Sequence, residues 1–139
     1  MKRITGKVNY VDVKRNFLPK NERLCLQKDI DSLFASGQSF VSYPLRIVYL
    51  FVTQDDVSKS DISILISVPK KRIKKAVTRN RIKRLIRESY RHNKNESSKH
   101  CKQKGKHLHI AFLYMSYDLK KYADIEKAMR KALDMIVRP

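Results

Sequence analysis

Apolar residues change period several times along this chain, and each change marks a predicted element. Ile30, Leu33 and Phe34 recur at helical spacing and Gly37 follows, which predicts a short helix over about 27–36. "LRIVYLFV" (45–52) is rich in β-branched and aromatic residues and predicts a strand. "TQDDVSKSD" has the chemistry of a loop. Ile62, Ile64, Ile66 and Val68 then alternate, predicting a strand over 62–68 with one side in a core, ended by Pro69. Ile82, Leu85, Ile86 and Tyr90 return to helical spacing over about 76–92. "RHNKNESSKHCKQKGKH" (91–107) holds no apolar residue except Cys101 and is expected to be an exposed, mobile basic loop. "LHIAFLYM" (108–115) predicts another strand, and Tyr122, Ile125, Met129, Ala132 and Ile136 predict a last helix. Residues 1–20 are polar and basic and are expected to form a loosely ordered arm before a single domain, 21–139. The order of elements predicts an α+β sandwich, helices packed against one sheet.

Composition adds one strong constraint. The hydrophobic fraction of 42% suffices for a core, but 32 Lys and Arg against 13 Asp and Glu leave a net charge of +19. Such an excess repels itself and favours a polyanionic partner, nucleic acid first and an anionic membrane surface second. No apolar run approaches the roughly 18 residues that span a bilayer, and the N-terminus lacks the apolar stretch of a signal peptide. Cys25 and Cys101 belong to no paired motif, so two reduced thiols in a cytoplasmic protein are expected.

Catalytic signatures are not visible in the sequence. His92, His100, Cys101, His107 and His109 do not reproduce the paired spacing of zinc ligands, and no metal site is expected in the protein. Asp55, Asp56, Asp61 and Asp118 sit at loop edges without acid/base pairing, and three glycines build no phosphate loop. The expectation is a chain that assists a reaction carried by another molecule.

The basic segment 70–91 places eleven Lys and Arg beside a single acid, Glu88. Steps of about 100° put Ile82, Leu85 and Ile86, with Tyr90 less centrally, on one face. Asn80, Arg84, Arg87 and Arg91 follow one another down the opposite face, flanked by Arg81 and Lys83, with Arg79 nearer the apolar margin. Neighbours on such a stripe stand about 5–6 Å apart, comparable with adjacent phosphates along a strand. Arg offers planar, bidentate donors to phosphate oxygens. The lead-in adds Lys70, Lys71, Arg72, Lys74 and Lys75 before the helix N-terminus, where exposed amides can hold an anion. Contacts of this kind fix a nucleic-acid backbone but read no bases.

"AVTRNRIKRLIRE" resembles the signature of the protein subunit of bacterial ribonuclease P, whose members carry an Arg-Asn-Arg helix. "RL" at 23–24, "KDIDSLFASGQS" at 28–39, "ISVPKK" and "LHIAFLYM" also fall where that family has its elements, so the resemblance covers roughly 22–137. It implies a two-layer fold of a four-stranded mixed sheet and three helices, with a rare left-handed βαβ crossover. It implies that a catalytic RNA subunit binds Mg²⁺ and removes the 5′ leader of precursor tRNA by metal-assisted phosphodiester hydrolysis. On that pattern Arg79, Asn80, Arg81, Lys83, Arg84, Arg87 and Arg91 would meet the RNA subunit. Ile30, Phe34, Tyr49, Lys70, Lys71 and Arg72 would meet the single-stranded leader in a cleft between the first helix and the sheet. The implied partners are the ribonuclease P RNA and precursor tRNA, with no membrane and no obligate protein partner. The sequence departs from the family at Ile30, where an aromatic is usual, and at 70–75, where relatives have a shorter loop with a glycine.

Two other classes would use a similar helix. A structural ribosomal-RNA-binding protein needs no aromatic cleft, and a basic-region DNA-binding dimer needs leucine heptads that residues 92–107 lack. A protein-only nuclease would need a carboxylate cluster holding metal, which is not visible.

Overall fold

The computed structural model describes residues 23, 24, 26–53 and 62–138. The expected arm 1–20, Cys25, Asp55, Asp56 and Asp61 lie outside the described residues. Helix α1, Gln27–Ser36, forms where the Ile30/Leu33/Phe34 spacing predicts it and fully buries Leu33. Gly37 ends it by close approach and not by a left-handed turn: its φ is −72° and its N–H donates to Leu33 O at 2.8 Å. A Cβ at this position would lie 2.3 Å from Leu33 O and 2.9 Å from Tyr49 O.

Strand β1, Gln38–Ser42, pairs antiparallel with β2, Leu45–Thr53, across a turn at Tyr43 and cis Pro44. The sequence pattern gave no separate signal for β1, because its five residues bury only Ser42. Its place comes from backbone pairing with β2 and from Ser42 Oγ donating to Ala128 O at 2.9 Å. Strand β3, Ile62–Ser67, lies parallel to β4, Lys106–Tyr114, and β4 is antiparallel to β2. The order β1-β2-β4-β3 makes a mixed four-stranded sheet. Upstream of α1 the chain runs beside β3, with Arg23 bridged to Ile64 and the Leu24 N–H donating to Ile64 O at 2.8 Å.

Between the parallel neighbours β3 and β4 lie α2, Ala76–Asn93, and α3, Asn95–Lys104; α4, Tyr122–Val137, follows β4. Helix α3 corrects the expected mobile loop and raises the helices from three to four among the described residues. It buries Ser97 and Cys101, four positions apart, so small side chains seat it where a hydrophobic scan finds nothing. Gly105 at φ 64° closes it in the left-handed conformation that favours glycine.

Strand alternation sorts the sheet's two faces. Ile47, Ile62, Ile64, Ile110 and Phe112 meet Ile82, Ile86 and Tyr90 of α2 and Ile125, Met129 and Ile136 of α4. Val48 and Ala111, on the other face, pack with Leu24 and Leu33, with Ile30, Leu50, Leu65 and Leu113 around them. Helix α1 therefore occupies the face opposite α2, α3 and α4.

Gly37→Ala is expected to cost about 3 kcal/mol in urea denaturation, because two backbone carbonyls must move to admit the methyl. Gly105→Ala meets nothing within 4 Å and should cost only the left-handed conformation, about 1–2 kcal/mol. The reverse ranking would show that the approach of α1 to β2 is not tight.

Candidate nucleic-acid interface

Helix α2 is seated by Ile82, Ile86, Ser89 and Tyr90, all buried, with Leu85 packed at the margin. Its other side carries exposed Asn80, Arg81 and Arg84, with Lys83, Arg87 and Arg91 half-buried along it. Glu88, the single acid of α2, is half-buried and follows Arg84 by four positions. Burial first, then Glu126 and Glu88, push the Tyr122 hydroxyl above its ordinary pKa, while Arg91 opposes them. Glu88 and Arg91 both act on Tyr122, and along α2 six Lys or Arg face this one acid.

Arg87 is the electrostatic centre of that stripe. Burial, then the neighbouring Arg23 and Arg84 guanidinium groups, hold its pKa below the usual arginine value. Three like charges gathered this way disfavour one another, and an anion such as a phosphate relieves all three. Arg23 joins the stripe from the segment beside β3; "RL" at 23–24 marked the position only as a family match and gave no hint of this neighbour.

Arg79 has a task besides any RNA contact. Its Nη1 donates to Ile73 O at 2.9 Å and to Lys74 O at 2.8 Å, stapling the lead-in loop to the first turn of the helix. The loop itself is anchored by buried Ile73 and by N–H groups of Arg72 and Ile73 donating to Pro69 O, each at 3.1 Å. Lys70, Lys71, Lys74 and Lys75 stand exposed around it. Arg72 is half-buried, its Nη1 donating to Met115 O and its guanidinium 4.9 Å from the centre of the Tyr117 ring. The glycine-free loop thus makes its turn on Pro69 O and is held by the side chains of Arg72, Ile73 and Arg79.

The residues expected at the leader cleft do not all share a face. Phe34 is 48% exposed on α1, and Ile30 is half-buried against the sheet beside Leu33. Tyr49 lies on the opposite face, because Val48 and Leu50 are the β2 residues that meet α1. Its hydroxyl donates to Gln38 Oε1 at 2.8 Å, and its ring meets Phe40 and Phe51 edge-on at 5.9 and 6.2 Å. Exposed Arg46 alternates onto the α1 face in phase with Val48, and strand parity counted from Val48 would have found it. Among the described residues no three His, Cys, Asp or Glu gather as metal ligands. His107 meets Ser63 Oγ through Nε2 at 2.9 Å, and Cys101 is part of the core. Donors suited to Mg²⁺ are oxygens, whereas the described residues of this surface gather cations and do not fit a protein-held Mg²⁺ site.

A family model described as Ribonuclease P matches residues 18–137. The ribonuclease P protein component of Porphyromonas gingivalis is 43% identical over 116 residues, covering 84% of this chain and 83% of that protein. That of Chlorobium phaeobacteroides is 39% identical over 106 residues, covering 72% and 73%. In structure, the chain is similar to the Staphylococcus aureus RNase P protein, with a TM-score of 0.60, 20% identity and coverage of 83% and 94%. A mutant of that protein superposes with a TM-score of 0.65 and 20% identity, covering 94% and 98%.

Replacing Arg84 and Arg87 together by Ala should weaken binding of a structured RNA and flatten its salt dependence by about one logarithmic unit per lost phosphate contact. Filter binding between low and moderate salt reads the slope. A slope equal to the wild type's would mean the stripe is only a solvated surface.

Proposed function

The chain belongs to the ribonuclease P protein family, and from that premise we propose that it serves the catalytic RNA of a tRNA-processing holoenzyme. In this reading the RNA carries the hydrolysis and its Mg²⁺, and the chain lays the α2 stripe against the RNA backbone to stabilise its active conformation. Precursor tRNA is the substrate, and its single-stranded 5′ leader runs past Phe34 and the exposed lysines of the lead-in loop. The observation that carries the reading is the stripe from Asn80 to Arg91, on a helix with six Lys or Arg and one acid, where Arg87 stands beside the Arg84 and Arg23 guanidinium groups. Phosphate contacts of this kind supply affinity and register without base readout, which suits a subunit that meets many precursors.

The revised geometry narrows the leader path. Phe34 offers a solvent-facing ring on the α1 face, and Arg46 supplies a cation there. Tyr49, on the far side of the sheet, is a packing residue whose hydroxyl is engaged by Gln38. No helix among the described residues is long and apolar enough to cross a membrane.

Reconstitution tests the proposal. The purified chain alone should leave precursor tRNA uncut, and added to a bacterial ribonuclease P RNA it should restore 5′ maturation at low Mg²⁺. Phe34→Ala should lower affinity for a leader-bearing precursor about ten-fold and leave mature tRNA binding unchanged. A chain that binds RNA yet never stimulates the cleavage would point instead to a structural ribosomal-RNA-binding protein.

A further inference from the structure

The end of the sheet where β1 turns into β2 carries a surface that the α2 stripe does not explain. Tyr43 is 60% exposed, Tyr117 69% and Leu119 45%, three large apolar side chains on two neighbouring loops. A cation lies over each ring: Arg72 over Tyr117 at 4.9 Å from its centre and Lys120 over Tyr43 at 5.6 Å. A ring covered by a cation on one face keeps the other for a planar, electron-rich partner, and its π-system is polarised by the charge.

This surface is held rigid from beneath. The buried Tyr114 side chain sends its hydroxyl into the loop after β4, donating to Asp118 O and accepting the Lys120 N–H at 3.1 Å. Burial is the main reason that the Tyr114 hydroxyl titrates above its ordinary value, so it stays protonated and able to donate. The Asp118 N–H donates to Ser116 Oγ at 3.0 Å, folding the loop on itself. The Met115 N–H donates to Pro44 O at 2.8 Å, tying this loop to the Tyr43 turn. Arg72 donates to Met115 O and joins the basic lead-in to the same assembly. Three loops thus form one fixed platform, and the rings do not have to be ordered when a ligand arrives.

We propose that Tyr43 and Tyr117, with Leu119 beside them, form a stacking platform for unpaired nucleotides of a single-stranded RNA, whose phosphates are met by Arg72, Lys120 and the exposed lysines 70, 71, 74 and 75. Aromatic rings set in a positive surface are the chemistry by which single strands are bound without sequence readout. Charge chooses RNA over a second copy of this chain: the platform is ringed by cations, and two such surfaces repel. The platform rests on the reading of the chain as an RNA-binding subunit; it shares the lead-in lysines with the proposed leader path, but its rings are distinct from Phe34 and its place from the α2 stripe. Arg87 and Arg84 act on backbone phosphates along α2, whereas the platform needs bases free of pairing.

The test uses the full chain and a fluorescein-labelled single-stranded oligoribonucleotide of about ten nucleotides, beside a duplex of the same sequence, followed by anisotropy. Tyr43→Ala with Tyr117→Ala should weaken single-strand binding about ten-fold per ring and leave duplex binding within about two-fold. Tyr43→Phe with Tyr117→Phe should restore the affinity, since stacking needs the ring and not the hydroxyl. Both tyrosines are exposed, and unfolding curves that match the wild type's exclude a folding defect. The platform is overturned if the Ala pair binds single strands like the wild type, or loses single strand and duplex equally. Self-association of the wild type that the Ala pair abolishes, with RNA affinity unchanged, would overturn it in favour of a second copy. Stimulation of a ribonuclease P RNA is measured in parallel. If it fails while the tyrosine dependence holds, the holoenzyme reading falls and the platform stands; the opposite result removes only the platform.

Discussion

Burial of one narrow apolar edge of α2 is the constraint on which the rest of the structure depends. The helix holds six Lys or Arg and one acid, a composition that alone favours a dispersed chain. Ile82 and Ile86 are fully buried, and each contributes about 1.5–3 kcal/mol by leaving water. They do so against β4 and α4, which are themselves nearly all buried where they meet the helix. Once that edge is fixed, every cation is forced to the remaining arc, and charge that would otherwise scatter becomes a line. The core therefore shapes the surface: seating the isoleucines is what aligns Arg84 with Arg87.

Most of the fold was legible because large apolar residues did the burying. The ends of α1 agree with the prediction to the residue, and those of β2, β3, α2 and β4 to within one or two. Legibility failed where burial was assigned to small or polar residues. Helix α3 is seated by Ser97 and Cys101, whose removal from water leaves no mark on a hydropathy pattern. Strand β1 exists through backbone hydrogen bonds, which every sequence can make. The site divided in the same way. The buried face of α2 could be phased from Ile82 and Ile86, although Tyr90, expected less central, is fully buried and Leu85 lies at the margin. Tyr49 was assigned to a cleft by resemblance, and strand parity overrules it: a residue adjacent to Val48 faces away from it. Arg23 and Arg46 could not be ranked above the many other cations until the sheet showed which of them approach α1 and α2.

The two kinds of RNA contact proposed for this chain would respond to different physics. A row of guanidinium groups binds through Coulomb attraction and counterion release, so its strength follows ionic strength. Tyrosine rings bind through contact area and dispersion and are far less sensitive to salt. A surface with both would retain unpaired RNA in salt that loosens its hold on duplex backbone. The lead-in loop joins them in space, because Arg72 reaches the β4–α4 loop while Arg79 reaches back to residues 73 and 74.

Arg79 gives this helix something a uniform basic face lacks. One arm of its guanidinium is fixed by two carbonyls, so its remaining donors point in a direction set by the protein. Arg84 and Arg81, exposed, can swing to meet whatever lies nearby. On the proposed reading, a polyanion sliding along α2 would find a graded scale with a single zero mark. Free arginines would hold it at any offset, but only one offset would place a phosphate where the pinned one aims. The same staple that shapes a loop would thereby set the reading frame in which a repetitive backbone is gripped.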